Sequence, residues 1–369
     1  MKKKMLKNIE WSILICSILL VTIGCIALYS ATTEVGRQEF NKQIIWFIIS
    51  IPVVIIVTII DYEILAKISP FLYGVILLLL GGVLFTEPIN GASSWYNLGM
   101  FSFQPGELAK IITILFLSYV LAKVQETDKN KISKPLNILL AIFIVALPVG
   151  LIVIQPDYGT AIPFIIALSL ILFVGGIKKR YIIITGIVIV ISVPLLYLYV
   201  LPEHAKIRID TYLHPEQDPR GAGYNVLQSK LAIGSGQLTG MGVFKGNQTQ
   251  LGYLHPKTTD FIFAVIGEEM GFVVGGAVII IYIVLITKGI YVAKTAKDLM
   301  GSYIAIGIIG VFIFHVIENI GMTMGLLPIT GVPLPFVSYG GTSLLSNFIC
   351  IGLLLSISAR RKKVLFTGN

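Results

Sequence analysis

The chain has 369 residues, 56% of them hydrophobic and only 13% charged, whereas water-soluble domains carry about 25% charged residues. Its net charge of +9 could suggest nucleic acid, but Lys and Arg fall in short clusters between apolar runs rather than on one face with interleaved aromatics. Three cysteines, Cys16, Cys25 and Cys350, all lie inside apolar runs, which excludes a disulfide or metal framework.

The apolar runs approach the ~20 residues that a helix needs to cross ~30 Å of hydrocarbon, and none alternates as a barrel strand would. Spans are predicted at roughly 11–30, 43–60, 65–85, 105–122, 136–154, 159–176, 181–200, 261–286, 301–325 and 336–358. The expected fold class is all-α: a polytopic membrane protein of about ten transmembrane helices in a single domain, 1–369, with one long extracytoplasmic loop. Lys2, Lys3, Lys4 and Lys7 precede the first run, which is too long for a signal peptide and reads as a retained helix. The short connections on the opposite side carry only Arg37 and Lys42, so the positive-inside rule places both termini in the cytoplasm. The connection 201–259 is the exception in length, and a structureless loop of that size is improbable unless it is functional. Within it, Tyr224, Leu227 and Leu231 fall at helical spacing and predict a short amphipathic helix in the outer interface.

A charge near the bilayer centre costs at least ~2.5 kcal/mol, so each ionisable residue in a span needs a reason. Glu107 and Lys110 stand three apart on the fourth span, hence on one face. They read either as a structural ion pair or as the lining of a polar cavity open to the outside. Glu268 and Glu269 point about 100° apart and do not easily serve one site, so one of them is expected to pair with a neighbouring helix. Glu318, beside Asn319 and near His315, is expected to satisfy itself by interhelical hydrogen bonds. Asp157, in the turn Gln155-Pro156-Asp157-Tyr158-Gly159, is expected to cap the sixth span. Asp260 stands where the long loop enters the eighth span. It reads as a helix-start acid or as a carboxylate both wet and close to a lipid headgroup.

Five blocks then resemble the SEDS family of shape, elongation, division and sporulation proteins. They are GASSWYNLGMFSFQPGELAK from Gly91, QPDYGTA from Gln155, DPRGAGYNVLQSKLAIGSG from Asp218, the stretch 247–271, and NIGMTMGLLPITGVPLPFVSYGGTSLL from Asn319. DPRGAGYNVLQSK and Gln248-Thr249-Gln250-Leu251 are more similar to the rod-elongation branch than to the division branch.

The resemblance implies a peptidoglycan glycosyltransferase that polymerises lipid II at the outer face of the cytoplasmic membrane. It implies work with a class B penicillin-binding protein and other cell-elongation membrane proteins. A hydroxyl attacking an anomeric carbon must lose its proton, and Asp260 is the expected catalytic base. The leaving pyrophosphate needs positive charge, which Lys110, Lys206, Arg208, Lys230, Mg²⁺ or another divalent cation could supply; no organic cofactor is expected. Trp95 reads as a sugar-stacking platform or as an interfacial anchor, and Glu107 as a further substrate contact. Two rival functions carry over from the same residues: a lipid II flippase, and a non-catalytic scaffold for a penicillin-binding protein.

Overall fold

Long apolar runs become helices in a membrane because every backbone N–H and C=O must then be satisfied within the segment. The computed structural model describes residues 7–33, 36–87, 93–97, 99, 102–126, 128–184, 186, 187, 206 and 222–361. In chain order the main elements are α1 (Trp11–Ala31), α2 (Gln38–Ile59), α3 (Tyr62–Gly82), a hairpin of β1 (Tyr96–Asn97) and β2 (Ser102–Phe103), α4 (Pro105–Gln125), α5 (Pro135–Ile154) and α6 (Tyr158–Val174). There follow α7 (Ala222–Ser235), the short α8 (Asn247–Gln250), α9 (Ile262–Thr295), α10 (Leu299–Thr323) and α11 (Gly341–Ala359).

Among the described residues, α1, α2, α3, α5, α9, α10 and α11 are long and apolar enough to cross a membrane. The protein is an integral membrane protein. The remaining expected spans 105–122 and 159–176 correspond to α4 and α6, which pack against α10 inside the bundle. Most of the expected span 181–200 lies outside the described residues, as does most of 201–221. α10 and α11 form the centre, whereas α2 and α5 show most of their isoleucines and leucines to the surroundings. At the end that carries Glu10 and Arg361, ion pairs tie the helices together: Lys288 to Glu10 at 3.0 Å, Arg360 to Asp61 at 3.1 Å, and Lys297 to Glu63 at 2.8 Å. The Glu63 carboxylate, accepting that hydrogen bond, raises the Lys297 amine above its ordinary value.

Three features depart from the simple expectation of spans and loops. First, α9 is broken at Gly271, whose backbone has φ 73° and ψ −175°. A Cβ on Gly275 would lie 3.7 Å from the Phe263 ring, whereas twelve residues of straight helix would separate them by ~18 Å. The chain therefore reverses at Gly271, so that 262–270 is a buried half-helix beside the start of 272–295. The loop before it caps the break on both sides. Met241 and Gly242 donate to the carbonyls of Glu268 and Glu269, while Phe272 and Val273 donate to the carbonyls of Gln237 and Leu238.

Second, the last helix starts at Gly341, not near 336. Residues 324–340 form a non-helical segment folded back into the bundle, with Val332, Leu334, Phe336 and Val337 buried. Pro333 and Pro335 forbid a continuous helix there, because each lacks an N–H and disfavours a helical predecessor. Third, the helix expected around Tyr224, Leu227 and Leu231 is α7, and it packs on α9 and α10 through Gly223, Val226, Ser229 and Ala232, with Tyr224 and Leu227 half-buried. Leu231 points outward with 57% exposure, because small residues let α7 approach its neighbours more closely than leucine would.

Candidate active site

The chemistry-bearing residues gather around the re-entrant segment 324–340. Side chains from three helices hold its backbone in place of a regular ladder. Asn319 Nδ2 donates to the Val332 carbonyl at 2.8 Å, Tyr282 Oη donates to the Pro335 carbonyl, and Gln43 donates to the Ser338 carbonyl at 3.1 Å while accepting from Gly340 N. His315 Nδ1 lies 3.1 Å from the Pro333 carbonyl. Irregular backbone survives inside a membrane bundle only when satisfied in this way.

Asp260 stands directly against this segment, half-buried at the entry to α9. Its neighbours are fixed through their main chain. The Thr258 carbonyl accepts from Tyr339 N at 2.9 Å, the Thr259 carbonyl accepts from Ser338 Oγ at 2.6 Å, and the Asp260 carbonyl accepts from Asn319 Nδ2 at 2.9 Å. A Cβ on Gly331 would lie 3.4 Å from Asp260 Oδ2, in van der Waals contact, so the turn passes beside the carboxylate, and its φ of 73° is what favours glycine there. Glu318 meets the preceding residue of the same turn, accepting from Thr330 Oγ1 at 2.8 Å.

The expected pair is present and closed. Lys110 Nζ lies 2.8 Å from Glu107 Oε1, with both residues less than 5% exposed. Glu107 Oε2 accepts from Ser346 Oγ of α11 at 2.9 Å, and Lys110 Nζ lies 3.1 Å from His315 Nε2 of α10. If Lys110 donates to Nε2, the imidazole carries its proton on Nδ1, where it donates to Pro333 O. The pair thus reaches the re-entrant segment through one imidazole. It does not touch Asp260 directly.

The other expected residues are spread around this centre. Lys230, exposed on α7, rests its stem against Gly325 at the start of the segment. Lys206 is half-buried, and Arg208 lies outside the described residues. Trp95 is half-buried beside the hairpin, and its carbonyl accepts from Thr86 Oγ1 at 3.2 Å. The hairpin in turn meets α11, where Thr342 Oγ1 donates to the Ser102 carbonyl.

Asp157 caps α6, accepting from Thr160 N at 3.2 Å and from Gln104 Nε2 at 3.0 Å. Glu268 and Glu269 serve separate partners, as their angle requires. Glu268 accepts from Gln248 N, Thr249 N and Thr249 Oγ1, whereas Glu269 accepts from Ser30 of α1 and from Gln250.

The family of FtsW, RodA and SpoVE, described as "Cell cycle protein", matches residues 10–363. The chain belongs to that family. Family members similar to it include the peptidoglycan glycosyltransferase MrdB of Escherichia coli K12, 33% identical over 96% of this chain and 95% of the relative. Stage V sporulation protein E of Bacillus subtilis is 35% identical over 94% of this chain and 96% of its own length. A solved structure described as "Structural coordination of polymerization and crosslinking by a peptidoglycan synthase complex" superposes with a TM-score of 0.83 at 26% identity, covering 96% of this chain and 99% of that one. The all-α polytopic fold of the family accounts for the bundle described above.

Of the residues the sequence singled out, the structure sets Asp260 against the segment and joins Glu107 and Lys110 to it through His315, whereas the sequence did not single out Gln43, Tyr282 and Ser338, which support the segment's backbone. His315 and Asn319 offered a usable signal: their spacing of four puts both on one face of α10, and both indeed face the same segment.

Proposed function

We propose that this chain is a peptidoglycan glycosyltransferase that polymerises lipid II during rod-shape elongation, with Asp260 as the general base. The observation that supports Asp260 most directly is its setting: a half-buried carboxylate in a stretch pinned on three successive carbonyls, beside the turn at Gly331. In the reaction the acceptor hydroxyl attacks the anomeric carbon of the donor sugar and its proton passes to Asp260. The bond from that carbon to the pyrophosphate oxygen breaks, and polyprenyl pyrophosphate leaves. Lys230, at the start of the re-entrant segment, and Lys206 are the basic residues suited to the pyrophosphate.

Among the described residues no group of three or more His, Cys, Asp or Glu could hold a metal ion. A hard divalent cation can be held by a single carboxylate with the substrate's own phosphate oxygens, and Glu318, which meets Thr330 beside the Gly331 turn, is suited to that role. When bound, it would neutralise charge on the leaving group.

The end that carries Glu10 and Arg361 also carries Lys123, Lys131, Lys134, Lys178, Lys179 and Arg180, which supports a cytoplasmic assignment for it. Asp260 then lies on the extracytoplasmic half, where lipid II is polymerised. The partner on this reading is a class B penicillin-binding protein that crosslinks the strands, together with other cell-elongation membrane proteins. A broken helix would favour a transporter where its free ends face substrate, but here the protein's own loop occupies the ends at Gly271.

The test is the purified chain with its penicillin-binding partner, given labelled lipid II in detergent, where no leaflets exist. Glycan polymer is the expected product. Absence of polymer, with lipid II scrambling once the chain is placed in liposomes, would replace this reading by a flippase.

A further inference from the structure

Asn319 occupies a position that few side chains could fill. It is fully buried, and its single amide nitrogen meets two carbonyl oxygens, that of Asp260 at 2.9 Å and that of Val332 at 2.8 Å. Two acceptors on one atom require two hydrogens, which an amide supplies and a hydroxyl or carboxylate does not. The reversed amide would set oxygen against oxygen, so only this orientation is stable. It leaves Oδ1 buried without a partner, which means that the side chain is oriented wholly for its donor end.

The two carbonyls belong to the two parts of the site that must keep register. One is the residue that carries the base, and the other is next to Gly331, where the turn passes beside Asp260 Oδ2. Two other bonds tie the segment to this stretch, from Tyr339 N to the Thr258 carbonyl and from Ser338 Oγ to the Thr259 carbonyl. They hold the neighbours of Asp260 and the far end of the segment, whereas Asn319 holds the Asp260 carbonyl itself together with the residue beside Gly331. Tyr282 holds Pro335, and Gln43 holds Ser338 and Gly340, with neither touching Asp260.

We propose that Asn319 is a positioning residue for the reaction, fixing the Asp260 carboxylate relative to the Gly331 turn through its paired hydrogen bonds. This rests on the assignment of Asp260 as base. Asn319 contacts no substrate on this account. Its loss therefore lowers turnover and leaves lipid II binding intact.

The experiment compares four forms of the full chain with its penicillin-binding partner: wild type, Asn319→Leu, Asn319→Ser and Tyr282→Phe, each assayed for kcat and KM with lipid II and for thermal unfolding in detergent. Displacing a reacting group by about 1 Å costs roughly 10²-fold, so both Asn319 variants are expected to lose about that much in kcat, with KM within about threefold of wild type. Tyr282→Phe removes a hydrogen bond to the same segment without touching Asp260, and is expected to keep kcat within about threefold at a similar loss of thermal stability. Near-wild-type kcat in the Asn319 variants, or an equal loss in Tyr282→Phe, would overturn the proposal. So would failure of both Asn319 variants to insert and fold, which would make the residue a determinant of the fold. Asp260→Asn, run beside them, separates the two failures: wild-type turnover there removes the base assignment itself, whereas a large loss there with unaffected Asn319 variants removes only the positioning role.

Discussion

The Glu107–Lys110 pair gives a sharp test of how charge is carried inside this bundle. Both residues are less than 5% exposed, the contact is 2.8 Å, and each has one further partner, Ser346 for the carboxylate and His315 for the amine. Removing one member leaves the other charged and buried, a change that costs ~3–5 kcal/mol. Replacing both by uncharged groups of similar size removes the pair and its desolvation together, and such double changes are often nearly neutral. Glu107→Ala and Lys110→Met should each lower stability by that ~3–5 kcal/mol, or about 10²- to 4 × 10³-fold in the folding equilibrium constant. Glu107→Gln with Lys110→Met should recover most of the loss. The assay is denaturant or thermal unfolding of purified protein in a fixed detergent, read by intrinsic fluorescence, with polymerisation measured on the same samples. A double variant no more stable than Glu107→Ala would refute the reasoning. A double variant that is stable yet inactive would assign the pair a role in the reaction, exerted on substrate or through His315 on Pro333.

Other outcomes follow from particular residues. Gly271→Ala forces a Cβ onto the backbone of Gly240 and Leu238 at φ 73°, so it should cost more than ~2 kcal/mol and reduce the yield of folded protein; Gly276→Ala, with open space around it, should be neutral or slightly stabilising in the same unfolding assay. Asp157→Asn should retain most polymerase activity, because asparagine caps a helix as well as aspartate, whereas Asp157→Ala should lose ~1 kcal/mol in an unfolding assay. In a cysteine-free background, Leu251→Cys should react with a membrane-impermeant thiol reagent on intact cells and Lys131→Cys should not; the reverse pattern would invert the orientation.

The spans were legible because lipid imposes a length and a polarity that any helix must meet, and α1, α2, α3, α5 and α10 follow their apolar runs closely. The irregular parts were not. Phe336 and Val337 are as apolar as any helical residue, so the sequence extended the last helix back over a segment that is buried but not helical. Gly271 lies in an apolar run with several other glycines, and nothing local marks it as the one that reverses the chain. The reversal depends on hydrogen bonds to residues 237–242, some thirty positions earlier.

The site divides along the same line. Glu107 and Lys110 were readable because their contact lies within one turn of one helix, and Asp157 because a cap is local. The link from Lys110 to His315 joins residues 205 positions apart, and the hold of Asn319 on Asp260 joins residues 59 apart, so both required the packed bundle. The helix α7 was legible from Tyr224, Leu227 and Leu231, but its packing on the bundle through Gly223, Val226, Ser229 and Ala232 was not.

The most direct measurement is the rate of glycan polymerisation by Asp260→Asn with labelled lipid II, at wild-type levels of folded protein bound to its partner. Asparagine preserves the shape of the side chain and the main-chain carbonyl that Asn319 holds, but cannot accept the proton of the attacking hydroxyl. The account predicts a fall of ~10²- to 10⁴-fold with lipid II binding retained, the loss typical of a missing general base. Were Asp260 only a helix-start acid, the change would cost under ~1 kcal/mol of stability and leave the rate intact. A wild-type rate from Asp260→Asn would contradict the assignment of the base.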